Sequence, residues 1–382
     1  MKKPVYHSDF KLGILGGGQL GRMFIQNAVN YNVNTHVLDP SQAAPCREIA
    51  SSFTCGDFND YQTVLDFGRE MDVLTIEIEH VNVEALEELE KSGVRVFPQP
   101  QIIKMIQDKG QQKQFYADHD IPTSNFKLVK DKKEFTEGGF ALPAVQKLRT
   151  GGYDGKGVQV VGSDQDYEKA FDAPCVIEDF VDFEKELSVI VARNEAGEIS
   201  TFPVVEPEFN PEANLVEFLF APAAIDKKIE KKSREIAKKV AETTGIVGLL
   251  AVELFLTKTG EVLVNEVAPR PHNSGHHTIE ANYSSQYDQH LRAITGLPAG
   301  STRQSQPAVM VNLLGEPGHT GEVAVKGLEK VLALPGVFVH LYGKKVTKPY
   351  RKMGHVTVVA DSLKNAVKVA HEVKDTLKIE AE

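Results

Sequence analysis

The run KLGILGGGQLGR, residues 11–22, constrains the fold more than any other segment. A short apolar stretch ends in glycines, and QLGRMFIQNAVNY follows with Leu20, Met23, Phe24 and Ala28 on one helical stripe. Strand, glycine turn and helix open a βαβ unit. THVLD (35–39) and VLTIEIE (73–79) read as further strands, EALEELEKSG as a helix closed by Gly93, and VRVFP as a strand closed by Pro98. That alternation predicts a parallel sheet with right-handed crossovers. Gly16, Gly18 and Gly21 fit G-x-G-x-x-G, and Asp39 ends the next strand, as in a dinucleotide fingerprint. A nicotinamide-dependent oxidoreductase is therefore the first reading. Close packing of strand on helix is the plainer account of the same glycines.

From about residue 101 the texture changes. IIKMIQDKGQQKQFYADHD is expected to be helical, and FKLV, CVIE and LSVIVA to be strands around a glycine-rich stretch. DKKIEKKSREIAKKVAE (226–242) reads as a helix whose lysines form a solvated face. Beyond it, AVMVNLLG, GVFVHLYG and GHVTVVA are strands, and DSLKNAVKVAHEVKDTL is an amphipathic helix opened by Asp361 or Ser362. The 382 residues divide into three expected units: 1–105, 106–300 with a lid over about 125–180, and a small β-rich unit at 301–382. Lys and Arg total 43 against 53 acids, a formal charge of −10, which argues against a general nucleic-acid surface. Cys46, Cys55 and Cys175 are too scattered for a disulfide framework or a zinc site. The N-terminus lacks the apolar core of a signal peptide, and Glu253 cuts off the longest aliphatic stretch, IVGLLAV. A cytoplasmic protein without membrane spans is expected.

The chemistry concentrates in two segments. KLRTGGYDGKG (147–157) carries Gly151, Gly152, Gly155 and Gly157, whose backbone N–H groups can wrap phosphate oxygens while Lys147 adds a point charge. It lacks the GKS or GKT ending of a Walker A loop. In GLLAVELFLTKTGEVLVNEVAPRPHNSGHH (248–277), two apolar runs are joined by TKTG, a hairpin signal. Each run carries an acid where a core residue is expected, Glu253 and Glu266. With Lys258 and Thr259 at the tip the two are diagonal neighbours; with Thr259 and Gly260 they are directly opposite. Either register puts both carboxylates on one face, where they repel unless protonated or sharing a cation. Such oxygen ligands suit Mg²⁺ held together with nucleotide phosphates. The oxidoreductase reading leaves these two acids without a role and gives way here. Asn265 points away from them in simple hairpin geometry and would need a bulge to join them.

Arg270, His272 and Asn273 follow in a loop, where a guanidinium suits a planar anion and an imidazole can move a proton near neutral pH. Glu178 and Glu186 flank a segment crossing between two strands, whose backbone could read a planar base. GKKVTKPYRK places Lys344, Lys345, Lys348, Arg351 and Lys352 within ten residues without an acid, a phosphate-sized site or a solvated hairpin.

Taken together, GGGQLGR, RTGGYDGKG, NEVAPRPHNSGHH and RKMGH resemble the ATP-grasp superfamily and, within it, the N5-carboxyaminoimidazole ribonucleotide synthetases. The resemblance implies an α/β and α+β protein with a Rossmann-like N-terminal sheet, a central ATP-grasp domain with a lid, and a C-terminal β-rich domain. It implies ATP and Mg²⁺ as cofactors, bicarbonate and 5-aminoimidazole ribonucleotide as substrates, and a homodimer that binds neither nucleic acid nor membrane. Carboxyphosphate, or CO₂ released from it, would carboxylate the exocyclic amine. By motif, Lys109 and Lys147 would bind ATP phosphates, with the loop Gly152, Tyr153, Asp154, Gly155, Lys156, Gly157 and Val158 over them. Glu178, Asp179, Phe180 and Val181 would line adenine and Glu186 would hold ribose. Glu253 and Glu266, with Asn265 adjacent, would hold Mg²⁺ and phosphates. Gln19, Tyr153, Asp154, Arg270, His272, Asn273, Lys344 and Arg351 would surround the ribotide or carboxyphosphate, Lys344 and Arg351 taking the ribotide phosphate. Downstream of FPVVE, Pro207, Glu208 and Phe209 stand where many relatives carry Asn-x-His.

Overall fold

In the computed structural model, which describes residues 3–152 and 157–382, the first hundred residues form a five-stranded parallel sheet. Its spatial order is Ser52–Cys55, Asn34–Asp39, Lys11–Leu15, Val73–Ile76, Arg95–Val96. Chain direction across the sheet reverses between Lys11–Leu15 and Val73–Ile76. The carboxyl ends of those two strands therefore flank the crevice where open α/β sheets bind ligands. The strand expected over 73–79 ends at Ile76, and Glu77 turns its carboxylate back onto the glycine loop.

The single helix expected after residue 101 is two helices, Pro100–Gln107 and Lys109–Asp118. Asp108 breaks the run: its backbone is extended (φ −113°, ψ 105°), and its side chain caps the second helix by accepting from the Gly110 and Gln111 N–H groups. The break starts a new helix with Lys109 at its first position.

A lid sheet of order Phe126–Val129, Cys175–Asp179, Ala144–Leu148, Val158–Val161 carries its own small core of Val129, Phe135, Ala144, Val161, Cys175 and Ile177. Behind it lies a central antiparallel sheet, Ile199–Thr201, Phe183–Arg193, Gly248–Thr257, Val262–Ala268. The Lys227–Thr244 helix buries Ile236, Ala237, Val240 and Ala241 against that sheet and leaves its lysine-rich face outside. The last large sheet runs Glu206–Asn210, Leu215–Ala221, Ala308–Leu314, Lys352–Val359, Val337–Leu341. It thus joins two strands from before residue 300, one of them holding Pro207, Glu208 and Phe209, to three from after it. Gly321–Lys326, Val346–Thr347 and Lys378–Ala381 make a small side sheet, and the Leu363–Thr376 helix, capped by Ser362, closes the C-terminal core.

One apolar cluster ties the three regions together: Phe10, Met23, Phe24 and Val37 from the first, Tyr287 and Leu291 from the second, and Tyr342 from the third. Tyr287 donates to the Met23 sulfur at 3.4 Å inside it. Among the described residues no helix is long and apolar enough to cross a membrane. The three cysteines are free thiols, Cys46 and Cys175 buried and Cys55 exposed.

Asp108 also fastens the lid. Its Oδ1 accepts from Arg149 Nε at 2.9 Å, and the Lys109 N–H donates to the Arg149 carbonyl at 2.8 Å. Asp108→Ala removes the helix cap and this anchor together, and is expected to lower unfolding stability by about 1–3 kcal/mol in urea melts. Asp108→Asn keeps a capping oxygen and should lose less. An alanine variant as stable as the parent would show that neither contact matters.

Candidate active site

The acid pair sits on a hairpin whose geometry differs from both expected registers. Lys258, Thr259 and Gly260 form a three-residue tip, with the Thr257 N–H donating to the Glu261 carbonyl at 2.9 Å and Gly260 at φ +81°. From the tip the pairs run Leu256 with Val262, Phe255 with Leu263, and Leu254 with Val264. Continued unbroken, this register would set Asn265 against Glu253 and turn Glu266 to the opposite face. Instead the register shifts, and Glu253 pairs with Glu266. Asn265 is the extra residue of a β-bulge. It and Glu266 are consecutive half-buried residues in a strand that otherwise alternates. The bulge lets amide and carboxylate serve one site.

Three lysines face these acids. Lys109 Nζ is ion-paired with Glu266 in a short contact. Lys147, from the lid, donates to Asn265 Oδ1 at 2.8 Å and lies 3.0 Å from Glu178 Oε1. Lys113, one helical turn beyond Lys109, lies 2.9 Å from Glu178 Oε2. The electrostatics follow. Burial, then the charges of Glu266 and Glu186, raise the Glu253 carboxyl well above the ordinary range. Glu266 goes the other way: burial opposes its ionisation, but Lys109 and Lys147 outweigh it. Glu178 is more deeply buried, yet Lys147 and Lys113 hold it down to about 2. Glu186, with burial and Glu266 against it, rises to about 7. Burial lowers Lys113 to about 8 despite the pull of Glu178, so it stays charged at neutral pH.

The loop after the second acid strand is pinned on both sides. His272 Nε2 lies 3.4 Å from Glu253 Oε1, and its Nδ1 lies 2.9 Å from Ser274 Oγ, which meets Ser188 Oγ at 2.8 Å. The Ser274 N–H also points at Nδ1, which favours the tautomer with the proton on Nε2. Arg270 pairs with Glu79 at 2.8 Å. That contact brings the loop to the switch-point crevice of the parallel sheet. Asn273 is half-buried at the start of the short Asn273–Gly275 turn.

The glycine fingerprint is satisfied from within. Glu77 accepts from the Gly18 and Gly21 N–H groups, both at 2.6 Å, and Asp39 accepts from the Gly17 N–H at 2.7 Å. A Cβ at Gly18 would stand 2.3 Å from the Glu77 carboxylate. The anion position at this helix N-terminus holds the protein's own carboxylate, and the fingerprint acid holds backbone, not a ribose. Gln19 is the first residue of the Gln19–Val29 helix, partly exposed at the same crevice. One turn on, Arg22 Nη1 donates to the Pro45 carbonyl, and a methyl on Gly343 would stand 3.5 Å from it. The basic C-terminal loop therefore docks beside the glycine turn. Within that loop Lys344 Nζ donates to the Lys352 carbonyl at 2.7 Å, and Arg351 Nη1 donates to the Val346 carbonyl.

Of the remaining expected residues, Tyr153, Asp154, Gly155 and Lys156 lie outside the described residues. Gly152, Gly157 (φ +83°) and Val158 flank them, Val158 being exposed at the lid edge. Glu178 does not present its carboxylate to a base, because lysines occupy both oxygens. Asp179 and Val181 line a cleft of about 460 Å³ between the lid and the Thr257–Glu261 turn, and Phe180 is exposed. Lys113, Glu77 and Glu79 went unnoticed in the sequence. A lysine four residues after Lys109, and alternate acids at the carboxyl end of a parallel strand, are the signals that point to them. Among the described residues no cluster of three or more His, Cys, Asp or Glu could hold a metal.

The sequence matches the ribonucleotide synthetase preATP-grasp domain over residues 10–107, the ATP-grasp domain over 114–287 and the phosphoribosylaminoimidazole carboxylase C-terminal domain over 308–368. The crystal structure of N5-carboxyaminoimidazole ribonucleotide synthetase from Thermotoga maritima superposes with a TM-score of 0.91 at 45% identity, covering 98% of this chain and 100% of that one. N5-carboxyaminoimidazole synthase from Aspergillus clavatus, solved with ADP and 5-aminoimidazole ribonucleotide, gives 0.88 at 33% identity over 96% and 98% of the two chains. The chloroplastic phosphoribosylaminoimidazole carboxylase of Vigna aconitifolia is 40% identical over 361 residues, 92% of this chain. The chain spans only 64% of that longer relative's length.

The acid pair predicts a pH signature. In the folded protein Glu253 keeps its proton above the ordinary carboxylate range, so the unfolded chain releases that proton first as pH rises, and stability falls across that window. Glu253→Gln removes this slope. Without nucleotide or divalent cation it should be about 1 kcal/mol or more stabler than the parent at pH 8, the gap closing toward pH 4. Urea unfolding at the two pH values checks this, and no gain at pH 8 would refute it.

Proposed function

This chain belongs to the N5-carboxyaminoimidazole ribonucleotide synthetases, ATP-grasp ligases of purine biosynthesis, and on that premise we propose that it carboxylates 5-aminoimidazole ribonucleotide with bicarbonate at the expense of ATP. The observation that carries the residue-level reading is the bulged hairpin. It brings Glu253, Glu266 and Asn265 to one seam, with Lys109 and Lys147 above them.

Bicarbonate is a poor electrophile because its carbon bears no good leaving group. Transfer of the ATP γ-phosphoryl group to a bicarbonate oxygen gives carboxyphosphate and ADP. The exocyclic amine of the ribotide then attacks the carbon, either of carboxyphosphate with loss of inorganic phosphate or of CO₂ already released together with that phosphate, and gives up one proton, which the released phosphate can accept. The protein's task is to neutralise the transferring phosphoryl group and exclude water. Lys109 and Lys147 supply positive charge on the phosphate side, and the segment from Gly152 to Val158 contributes to nucleotide binding. Asp179, Phe180 and Val181 offer their backbone to adenine and Glu186 holds ribose, whereas Glu178 serves through the lysines it anchors. Arg270, His272 and Asn273 hold bicarbonate and the reacting amine, His272 Nε2 carrying the proton nearest Glu253. Tyr153, Asp154 and Gln19 complete the ribotide pocket, with Lys344 and Arg351 on its phosphate.

The acid pair fits Mg²⁺. Two opposed carboxylates with an amide oxygen beside them, one acid paired to Lys109 and the other left proton-loving, form a site short of positive charge. Magnesium takes one or two protein carboxylates, which this opposed pair can supply, and leaves its other positions to phosphates and water. Glu253 and Glu266 would hold the ion, which when bound supplies charge neutralisation across the phosphates. On the family's pattern the protein is a cytoplasmic homodimer with domain divisions near residues 105 and 300.

The test is phosphate release with ATP, Mg²⁺ and bicarbonate, with and without the ribotide. Turnover indifferent to ribotide would remove the substrate assignment and leave an ATP-grasp enzyme of another acceptor. Glu266→Gln should lose about a hundredfold or more of the bicarbonate-dependent rate with the fold intact by circular dichroism, and full activity would remove the metal assignment. Deleting Asn265 offers a cleaner probe of the bulge. The shortened strand still sets Glu266 against Glu253 and keeps every later pair, so stability should stay within about 1 kcal/mol of the parent. The KM for ATP should rise about tenfold through loss of the Lys147 partner. An unchanged KM would show that the amide has no part in nucleotide binding.

A further inference from the structure

We propose that Lys113 is a positioning residue for nucleotide binding: as the permanent counter-ion of Glu178, it frees Lys147 to move its charge onto the phosphates of ATP. The inference rests on the reading that Lys147 binds those phosphates.

Glu178 is a carboxylate with two cations, and the two are held differently. Lys113 donates to Thr123 Oγ1 at 2.7 Å and to Ser124 Oγ at 3.0 Å, and its ammonium is ion-paired with Glu178 Oε2 at 2.9 Å. Thr123 and Ser124 are themselves fixed. Thr123 Oγ1 donates to the Val264 carbonyl at 2.7 Å, and Ser124 Oγ donates to Glu178 Oε2 at 2.6 Å. The Lys113 and Glu178 side chains are each only 4% exposed, so this ammonium has no path to a ligand. Lys147 is looser. Its ammonium stands 3.0 Å from Glu178 Oε1, but that oxygen receives no aligned hydrogen bond, and the bond Lys147 makes goes to Asn265 instead. Its side chain is the more exposed of the two, at 10%.

The energetic consequence follows from burial. A buried carboxylate stripped of its only cation is strongly unfavourable, which keeps that cation from leaving. With one lysine, Glu178 would hold Lys147 in place. With Lys113 permanently attached, Glu178 stays paired when Lys147 turns toward phosphate. The placement of Lys113 four residues after Lys109 serves the same end. One face of the Lys109–Asp118 helix presents a ligand-facing lysine at its first turn and a structural lysine at its second.

The test measures ADP affinity by titration calorimetry, and the KM for ATP and for ribotide, in four variants: Lys147→Met, Lys113→Met, Glu178→Gln and Lys113→Met/Glu178→Gln. Lys113→Met should weaken ADP and raise the ATP KM about tenfold or more while the ribotide KM moves less than about threefold. The double variant should recover to within about threefold of Glu178→Gln alone, because a neutral amide needs no counter-ion. A purely structural lysine predicts no such recovery. If the double variant is as weak as Lys113→Met, the inference is overturned. If Lys113→Met does not fold, the double variant against Glu178→Gln decides: equality within about threefold supports the inference, and a further tenfold loss overturns it. Lys147→Met separates the two levels. If it leaves ADP affinity unchanged, the phosphate reading of Lys147 fails; if it weakens ADP while Lys113→Met does not, only the present inference fails.

Discussion

Two glutamates set face to face on neighbouring buried strands repel one another, and much of this molecule's interior answers that repulsion. Glu253 and Glu266 are joined by Glu178 and Glu186 along the seam beneath the lid, four carboxyls met by Lys109, Lys113 and Lys147. The balance is short by one positive charge. Glu253 and Glu186 hold their protons above the ordinary carboxylate range, while Glu178 and Glu266 take the cations.

The placement of those lysines depends on two interruptions of regular structure. Asp108 stops one helix and starts another, which sets Lys109 at the head of a new helix and Lys113 one turn behind it. Asn265 interrupts a strand, which keeps Glu266 opposite Glu253 while adding an amide for Lys147. Both are single-residue devices, and each also ties lid to core, through Arg149 in one case and Lys147 in the other.

The parallel sheet, the central hairpin and the C-terminal helix are legible in the sequence because periodicity and caps dictate them. The acid pair is legible too, though for a reason that the structure replaces. A two-residue tip and a regular strand give the same facing as a three-residue tip followed by a bulge, since the extra residue at Gly260 and the extra residue at Asn265 cancel. Neither can be counted from hydrophobic pattern alone, which fixes face but not register offset. The pairing of Leu215–Ala221 with Ala308–Leu314 is invisible for a different reason. Nothing local to residues 206–221 specifies a partner some ninety residues away. Lys113 hides because a buried lysine looks, in sequence, like one more charge on a helix already rich in polar residues.

The glycine fingerprint makes the converse point, that a legible motif can be internally consumed. G-x-G-x-x-G prepares backbone N–H groups at a helix N-terminus for an anion, and a dinucleotide is one anion that fits. Here the neighbouring strand ends at Ile76, and the carboxylate of Glu77 just beyond it reaches back over the turn and takes the Gly18 and Gly21 N–H groups. Burial raises that carboxyl above the ordinary carboxylate range, and the two backbone bonds offset the shift only in part. With the anion position filled, the turn presents only its rim, Gln19 and Arg22, to the crevice, and the basic C-terminal loop packs against that rim at Gly343. Pyrophosphate is excluded at the turn because Glu77 already takes the N–H groups it would need, while cations gather beside it. A dinucleotide laid across the glycines does not fit that arrangement.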